Sequence, residues 1–171
     1  MSSQPIILRP EHPTDRDSIR RVHVEAFGRA DEAELVDALR DGGWTVLSLV
    51  ADRDGEAVGH VLFSRLLIQR GEQSIPALAL APLAVLPTCQ RTGIGSALVR
   101  AGMEQSRAAG ERIVVVLGHP EFYERLGFEA QLARPLAAPF AGAAWQAAEL
   151  QPGALTGVAG RVQYPPPFGV D

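Results

Sequence analysis

The residues from Pro87 to Gly95, Pro-Thr-Cys-Gln-Arg-Thr-Gly-Ile-Gly, constrain this chain more than any other stretch. They join an apolar, strand-like run, Ala77 to Leu86, to a helix-like run, Ile94 to Ala109, in which Ile94, Ala97, Leu98 and Ala101 share one face. Ile113 to Leu117 follows as a continuous apolar segment, the pattern of a central strand covered on both faces. Strand, helix, strand in that order is a crossover unit, so the two strands are expected to run parallel. The connecting turn has the form Gln-x-x-Gly-x-Gly. Glycines let the backbone approach a ligand with no Cβ in the way, and the helix behind them starts with free N–H groups and the positive end of its dipole. Such a turn is a seat for phosphate, and hence for a nucleotide-containing cofactor.

Ahead of this unit the chain reads as a short strand, Ile6 to Arg9, and two consecutive helices. The first, Asp15 to Phe27, has Ile19, Val22, His23 and Ala26 at helical spacing; the second, Asp31 to Arg40, turns Leu35, Val36 and Leu39 inward. Trp44 to Ala51 and Ala57 to Ser64 flank the hairpin signal Asp54-Gly55, and a turn at Arg70 to Gln73 leads into Ala77 to Leu86. The simplest arrangement is a three-stranded antiparallel meander. Pro82 cannot donate a ladder hydrogen bond, so it marks an edge, a bulge or a place where two strands part. Beyond the crossover, Gly118 to Leu126 reads as a loop and short helix, Gly127-Phe128 as the start of a strand, and Arg161 to Tyr164 as a strand that closes the sheet. The fold class expected is α/β: a central mixed, mostly antiparallel sheet with helices on both faces, in one domain over residues 1–171.

Composition narrows the function. The chain has 171 residues, of which 46% are hydrophobic and 21% charged, and a net charge of -4. Its pI is near 5.6. An acidic balance with scattered basic residues argues against nucleic acid or an anionic membrane as partner. Cys89 is the single cysteine, which excludes an internal disulfide. His12, His23, His60 and His119 are too dispersed to read as a metal site, so no metal is expected. Met1 to Pro5 lack the pattern of a secretory leader, and no apolar run reaches the ~18 residues that span a bilayer. A cytoplasmic protein is expected.

With these features in place, the chain resembles the GNAT superfamily of N-acetyltransferases, which move an acetyl group from acetyl-CoA to an amine. Three stretches carry the resemblance, in matching order and spacing: Leu83-Ala84-Val85 before the turn, Gln90-Arg91-Thr92-Gly93-Ile94-Gly95 at it, and Phe122-Tyr123-Glu124-Arg125-Leu126-Gly127-Phe128 after the crossover. The likeness runs over roughly residues 6 to 131. Residues 132–171 match the superfamily poorly and are similar to a bacterial subgroup of uncharacterised acetyltransferases. The resemblance therefore implies a core over residues 1–131 and an extension, 132–171, that completes the sheet and is a candidate wall of the acceptor cleft. It implies acetyl-CoA as cosubstrate without a metal, with the pyrophosphate on Gln90, Arg91, Thr92, Gly93, Ile94, Gly95 and Ser96. The pantetheine arm would lie along Leu83, Ala84 and Val85, in the gap of a splayed parallel pair near Pro82. A backbone N–H near Leu83 would meet the oxyanion, and Tyr123 would protonate the departing thiolate. The acceptor would be a small-molecule amine or a protein amino group, and homodimers are common in the family.

Several roles stay open in the residues themselves. The strand that carries a carboxylate base in some family members reads Ala79-Leu80-Ala81-Pro82 here, so Glu25, His60, His119 and Glu149 are base candidates by type alone. Tyr123 has a competing role as a packing residue. Of Gln90 and Arg91, one is expected to be a solvated loop residue. Cys89 has no histidine near it in sequence, and direct transfer needs no acetyl-cysteine. Phe27, Trp44 and Trp145 read as core. Asp31, Glu32, Glu34 and Asp37 read as a solvated helix face, although the resemblance puts this region beside the acceptor, where an acidic rim would favour a cationic amine. A non-catalytic acyl-CoA-binding protein is the alternative function. A Rossmann dinucleotide site is excluded, because the third glycine position holds Leu98 and the turn follows three or four strands.

Overall fold

The computed structural model describes residues 4–170. Its strands are β1 (Ile7–Pro10), β2 (Thr45–Arg53), β3 (Glu56–Arg70), β4 (Gln73–Val85), β5 (Ile113–Leu117), β6 (Leu136–Ala137), β7 (Trp145–Glu149) and β8 (Gly160–Gln163). Its helices are α1 (Arg16–Phe27), α2 (Asp31–Asp41), α3 (Ile94–Ala108), α4 (Pro120–Glu124) and α5 (Ala130–Ala133). The strands hydrogen-bond in the order β1-β2-β3-β4-β5-β7, with β8 on β3 and β6 on β8. β1–β2, β3–β8 and β5–β7 are antiparallel, whereas β4–β5 and β6–β8 are parallel. The mixed sheet with a parallel pair across the crossover is the expected fold.

Some boundaries differ from the sequence reading, for physical reasons. β3 continues to Arg70 and β4 begins at Gln73, because the alternation of buried Leu66 and Ile68 with more exposed Arg65, Leu67 and Gln69 persists past Ser64. The expected strand at Gly127-Phe128 is reduced to one bridge, Glu129 to Ala147, before the chain coils into α5. Phe27 and Trp44 are 42% and 37% exposed and are not core, in contrast to Trp145 at 3%.

The chain forms two compact units, and β3 and β4 run through both. One holds the chain up to Phe63 together with Pro82–Gly102; the other holds Ser64–Ala81 and everything from Met103 onward. In the first, β2 and β3 meet at Asp54 and Gly55, both left-handed (φ 56° and 85°), as a type I′ hairpin turn requires. Side chains alternate along β3, which fixes where the helices lie. A Cβ added at Gly59 would meet Ile94 and Leu98 of α3 at 3.0 and 3.1 Å, and Phe63 presses on Gly102 of the same helix. His60 points to the opposite face and meets His23 of α1. Helices therefore cover both faces of this half of the strand.

In the second unit, Leu66, Ile68, Ala77, Ala79, Ile113 and Val115 form the centre of a buried cluster that also takes in Trp145 and Ala147 of β7. The parallel pairing of β4 with β5 is registered at Leu78–Val114 and Ala79–Val115, three residues short of Pro82. The Arg107 guanidinium donates to the Leu150 carbonyl at 2.6 Å, and Arg65 spans the Ala77 carbonyl and Glu111. Among the described residues, no helix is long and apolar enough to cross a membrane.

The tightest packing constraint in the first unit is Gly102, where a Cβ would stand 2.2 Å from Cε2 of the fully buried Phe63. Gly102→Ala gains helix propensity, worth roughly 1 kcal/mol, but forces an overpacked ring that costs typically ~1–3 kcal/mol. Net destabilisation is expected in urea unfolding, and Phe63→Leu in the same chain should recover part of it. An alanine variant as stable as the parent would show that this contact relaxes freely.

Candidate functional site

β4 ends at Val85, and Leu86 donates its N–H to the Val58 carbonyl at 2.9 Å, which ties the exit of the strand to β3. A single 3-10 turn, Pro87–Cys89, reverses the chain. Two side chains then hold the loop in shape: Gln90 Nε2 donates to the Val85 carbonyl at 2.9 Å, and Thr92 Oγ1 to the Cys89 carbonyl at 2.6 Å. Arg91 is left-handed, with φ 63°, and so is Gly93, with φ 87°. A non-glycine residue in that region carries strain of order ~1–3 kcal/mol, and such strain collects at ligand sites. Alternation of left- and right-handed residues turns successive N–H groups to one side and makes an anion-binding concavity.

α3 starts directly behind this loop. Its first return bond runs from the Ala97 N–H to the Gly93 carbonyl, at 3.0 Å. The N–H groups of Ile94, Gly95 and Ser96 precede any intrahelical partner, so they add to the concavity together with the helix dipole. A Cβ at Gly93 would meet nothing within 4 Å, so its glycine is explained by the positive φ rather than by crowding. Gln90 is exposed but is spent on its own strand; Arg91, Thr92 and Gly93 are also exposed, and Gly95, Ser96 and Leu83 are half-buried. Ala84 and Val85 are buried. Cys89 is buried beneath the loop, where the Arg53 guanidinium donates to its Sγ at 3.4 Å, a packed thiol rather than an exposed nucleophile.

Tyr123 belongs to the second unit. It sits in α4, one turn after the C-terminal end of β5, and its ring lies over Gly118: a Cβ there would be 2.4 Å from Cε2 of the ring. Phe122 and Phe128 meet the ring edge-on, at centroid distances of 4.8 and 5.5 Å. The hydroxyl makes no hydrogen bond among the described residues, and burial pushes its pKa up to about 12. Sequence alone gave no sign of the Gly118 contact, because the glycine ends a strand where many residue types are tolerated.

The base candidates separate clearly. His60 is fully buried with both nitrogens engaged, Nε2 with Ser48 Oγ at 2.7 Å and Nδ1 with His23 Nε2 at 2.8 Å, so it has no free nitrogen for substrate. Glu149 accepts the Leu155 N–H at 2.7 Å and pins the loop after β7. Glu25 is exposed near Arg21 on α1, and His119 is exposed at the N-cap position of α4. Half of the acidic cluster is tied to arginines, Glu32 and Asp37, while Asp31 and Glu34 stay exposed. Asp37 is bound by Arg16, Arg20 and Arg40, which outweigh the effect of burial and hold it below the usual carboxylate range. Glu32 is likewise lowered by its bond to Arg29. Among the described residues, no three His, Cys, Asp or Glu side chains gather to hold a metal.

The Ser48–His60–His23 chain has no signature in the sequence, since its members are spread over three elements. Burial drives both histidines neutral, His60 well below its usual pKa and His23 down to about 4. Glu32 opposes and Arg40 reinforces the effect on His23. A histidine with a depressed folded pKa contributes full stability above its unfolded value of ~6.5 and loses it as pH falls towards the folded value. Between pH 7 and 4.5 His23 alone should remove about 2–3 kcal/mol. Thermal unfolding across that range should show His23→Gln losing less stability than the parent; parallel curves would contradict the assignment.

Residues 8–131 match the model of the acetyltransferase (GNAT) domain. The chain is 36% identical over 162 residues to the uncharacterized N-acetyltransferase YhbS of Escherichia coli strain K12, covering 93% of this chain and 96% of that one. It is 44% identical over 119 residues to the uncharacterized N-acetyltransferase YjhQ of the same strain, covering 68% of this chain and 65% of YjhQ, just under two thirds of that relative's length. The crystal structure of E. coli YhbS in complex with CoA superposes with a TM-score of 0.91 at 33% identity, over 99% of this chain and 94% of that one. A GNAT family acetyltransferase from Brucella melitensis, in complex with acetyl-CoA, superposes with a TM-score of 0.81 at 36% identity, over 96% and 99%.

Proposed function

Because the chain belongs to the GNAT acetyltransferase family, we propose that it is an acetyl-CoA-dependent N-acetyltransferase that moves the acetyl group directly to an amine. The observation that carries this reading is the loop of Arg91 to Ser96, whose strained backbone and open helix start suit a pyrophosphate. YhbS holds CoA and the Brucella protein acetyl-CoA, and the same ligand fits this loop chemically. Gln90 and Thr92 shape the loop through their side chains, while the N–H groups from Arg91 to Ser96 bind. Leu83, Ala84 and Val85 lie on β4 beyond its last registered pair with β5, so their main-chain groups are the natural partners for the amides of pantetheine.

In the reaction the amine nitrogen attacks the thioester carbonyl, the C–S bond breaks, and the proton lost by nitrogen balances the one gained by sulfur. We assign Tyr123 to the departing sulfur. With a pKa near 12 its phenol stays protonated, and full transfer to a thiolate of pKa ~8.5 is uphill. Its contribution is therefore a hydrogen bond that strengthens as charge builds on sulfur. The acceptor is another molecule, a small amine or a protein amino group: all 16 basic residues of the chain are arginine, so it has no lysine of its own to acetylate.

Two variants test the reading. Gly93→Val places a branched side chain at φ 87° in the anion seat and should weaken acetyl-CoA binding at least roughly tenfold in calorimetry while the fold persists. Undiminished affinity would remove the loop from the site. Tyr123→Phe should keep acetyl-CoA affinity and lower CoA release with an accepted amine by about 10²–10³-fold, the loss typical of one donor removed from a developing charge. Full turnover would leave Tyr123 as a packing residue. Tight acetyl-CoA binding with no CoA release across an amine panel would favour a binding-only protein.

A further inference from the structure

Residues 130–145, outside the stretch matched by the acetyltransferase model apart from the first two, line a half-open surface cavity of about 270 Å³. Its wall is apolar. Leu136, Phe140 and Trp145 form the body, and alanines fill the spaces between them. The indole is fixed by its Nε1–H, which donates to the Leu136 carbonyl at 3.2 Å, and Phe140 leans on it at a centroid distance of 5.3 Å. Phe140 is itself braced by Tyr164, which is backed by Phe168, so the aromatic wall is a supported surface rather than a mobile flap.

One charged residue lines this cavity, Arg134. Its guanidinium is exposed and has no ion-pair or hydrogen-bond partner among the described residues, a state it shares with Arg91, Arg100, Arg112, Arg125 and Arg161; what sets it apart is its place on the wall of this cavity. No Asp or Glu is among the lining residues. A concave apolar site with a single placed polar group is the form of a small-molecule pocket, and the group fixes the ligand's orientation and class. A guanidinium offers a planar fork of donors that matches a carboxylate. The volume is just below the roughly 300–1,000 Å³ of drug-sized ligand pockets, which limits a ligand to about a single ring.

We propose that this cavity binds a small amphiphilic carboxylate, an aromatic or branched aliphatic acid whose body packs on Phe140 and Trp145 and whose carboxylate pairs with Arg134. The proposal does not rest on the transfer reaction.

Trp145 supplies the readout. The chain has two tryptophans, so in a Trp44→Phe protein the emission comes from the cavity alone. Trp44 is 37% exposed, and its replacement is expected to be tolerated. Phenylacetate is the probe, and phenethylamine, with the same ring and the opposite charge, is the control. Saturable change in Trp145 emission with phenylacetate, little with phenethylamine, and a roughly ten- to hundredfold weaker Kd in Arg134→Gln is the expected result, as loss of a charge-assisted hydrogen bond demands. Calorimetry with the parent chain and with Arg134→Gln gives the same comparison without the Trp44 substitution. No saturable binding of phenylacetate, equal binding of the amine, or an Arg134→Gln variant that binds as the parent does would overturn the proposal.

Discussion

A helix cannot satisfy the N–H groups of its own first turn, and this protein delivers its α3 to that unsatisfied state through a loop built to keep it open. Leu86 is tied back to β3, Gln90 and Thr92 bond within the loop, and Arg91 and Gly93 both turn left-handed. None of these interactions uses the N–H groups at the start of the helix. The strain at Arg91 is affordable because the surrounding bonds determine the loop, and behind it Gly59 lets Ile94 and Leu98 sit close on β3. The placement of the anion seat thus depends on packing that begins at Ile94, in the seat itself, and continues at Leu98 one turn on.

The charges of the molecule are organised around arginine alone. α2 carries Asp31, Glu32, Glu34 and Asp37, yet Glu32 and Asp37 are bound by guanidinium groups from α1, from the residues between the helices and from α2 itself. Arg9 joins Asp15 to Asp52 in the same way. Arginine stays charged at any working pH, so these pairs respond to acid only through their carboxylates. Such pairs at the surface add little stability each, and their value here is to fix helix orientation. The fully buried titratable pair, His23 and His60, is neutral and hydrogen-bonded rather than charged.

Much of this was legible in the sequence because its signals were local. Hydrophobic spacing located α1, α2 and α3, Asp54-Gly55 located the β2–β3 hairpin, and the run Ile113 to Leu117 is β5 without a change of bounds. Strand-helix-strand order gave the parallel pair. What escaped is non-local. His23 and His60 are far apart in the chain, and nothing in either segment announces the other. Arg16, Arg20 and Arg40 cancel Asp37 only once α1 and α2 lie side by side. Phe27 and Trp44 looked like core because aromatic residues usually are, but both lie at the ends of elements, where partial cover by His23 and Gly42 leaves them 42% and 37% exposed. The alanine-rich stretch after Gln131 has weak preferences of its own; its short strands and its cavity exist because β7 is recruited by β5 and β8 by β3.

The most direct test of this account is a crystal structure of the protein with acetyl-CoA. The loop as described here predicts pyrophosphate oxygens within hydrogen-bond distance of main-chain N–H groups between Arg91 and Ser96, with Arg91 and Gly93 still left-handed. Acetyl-CoA bound with those N–H groups facing water, or a loop that has to refold to receive the cofactor, would contradict it.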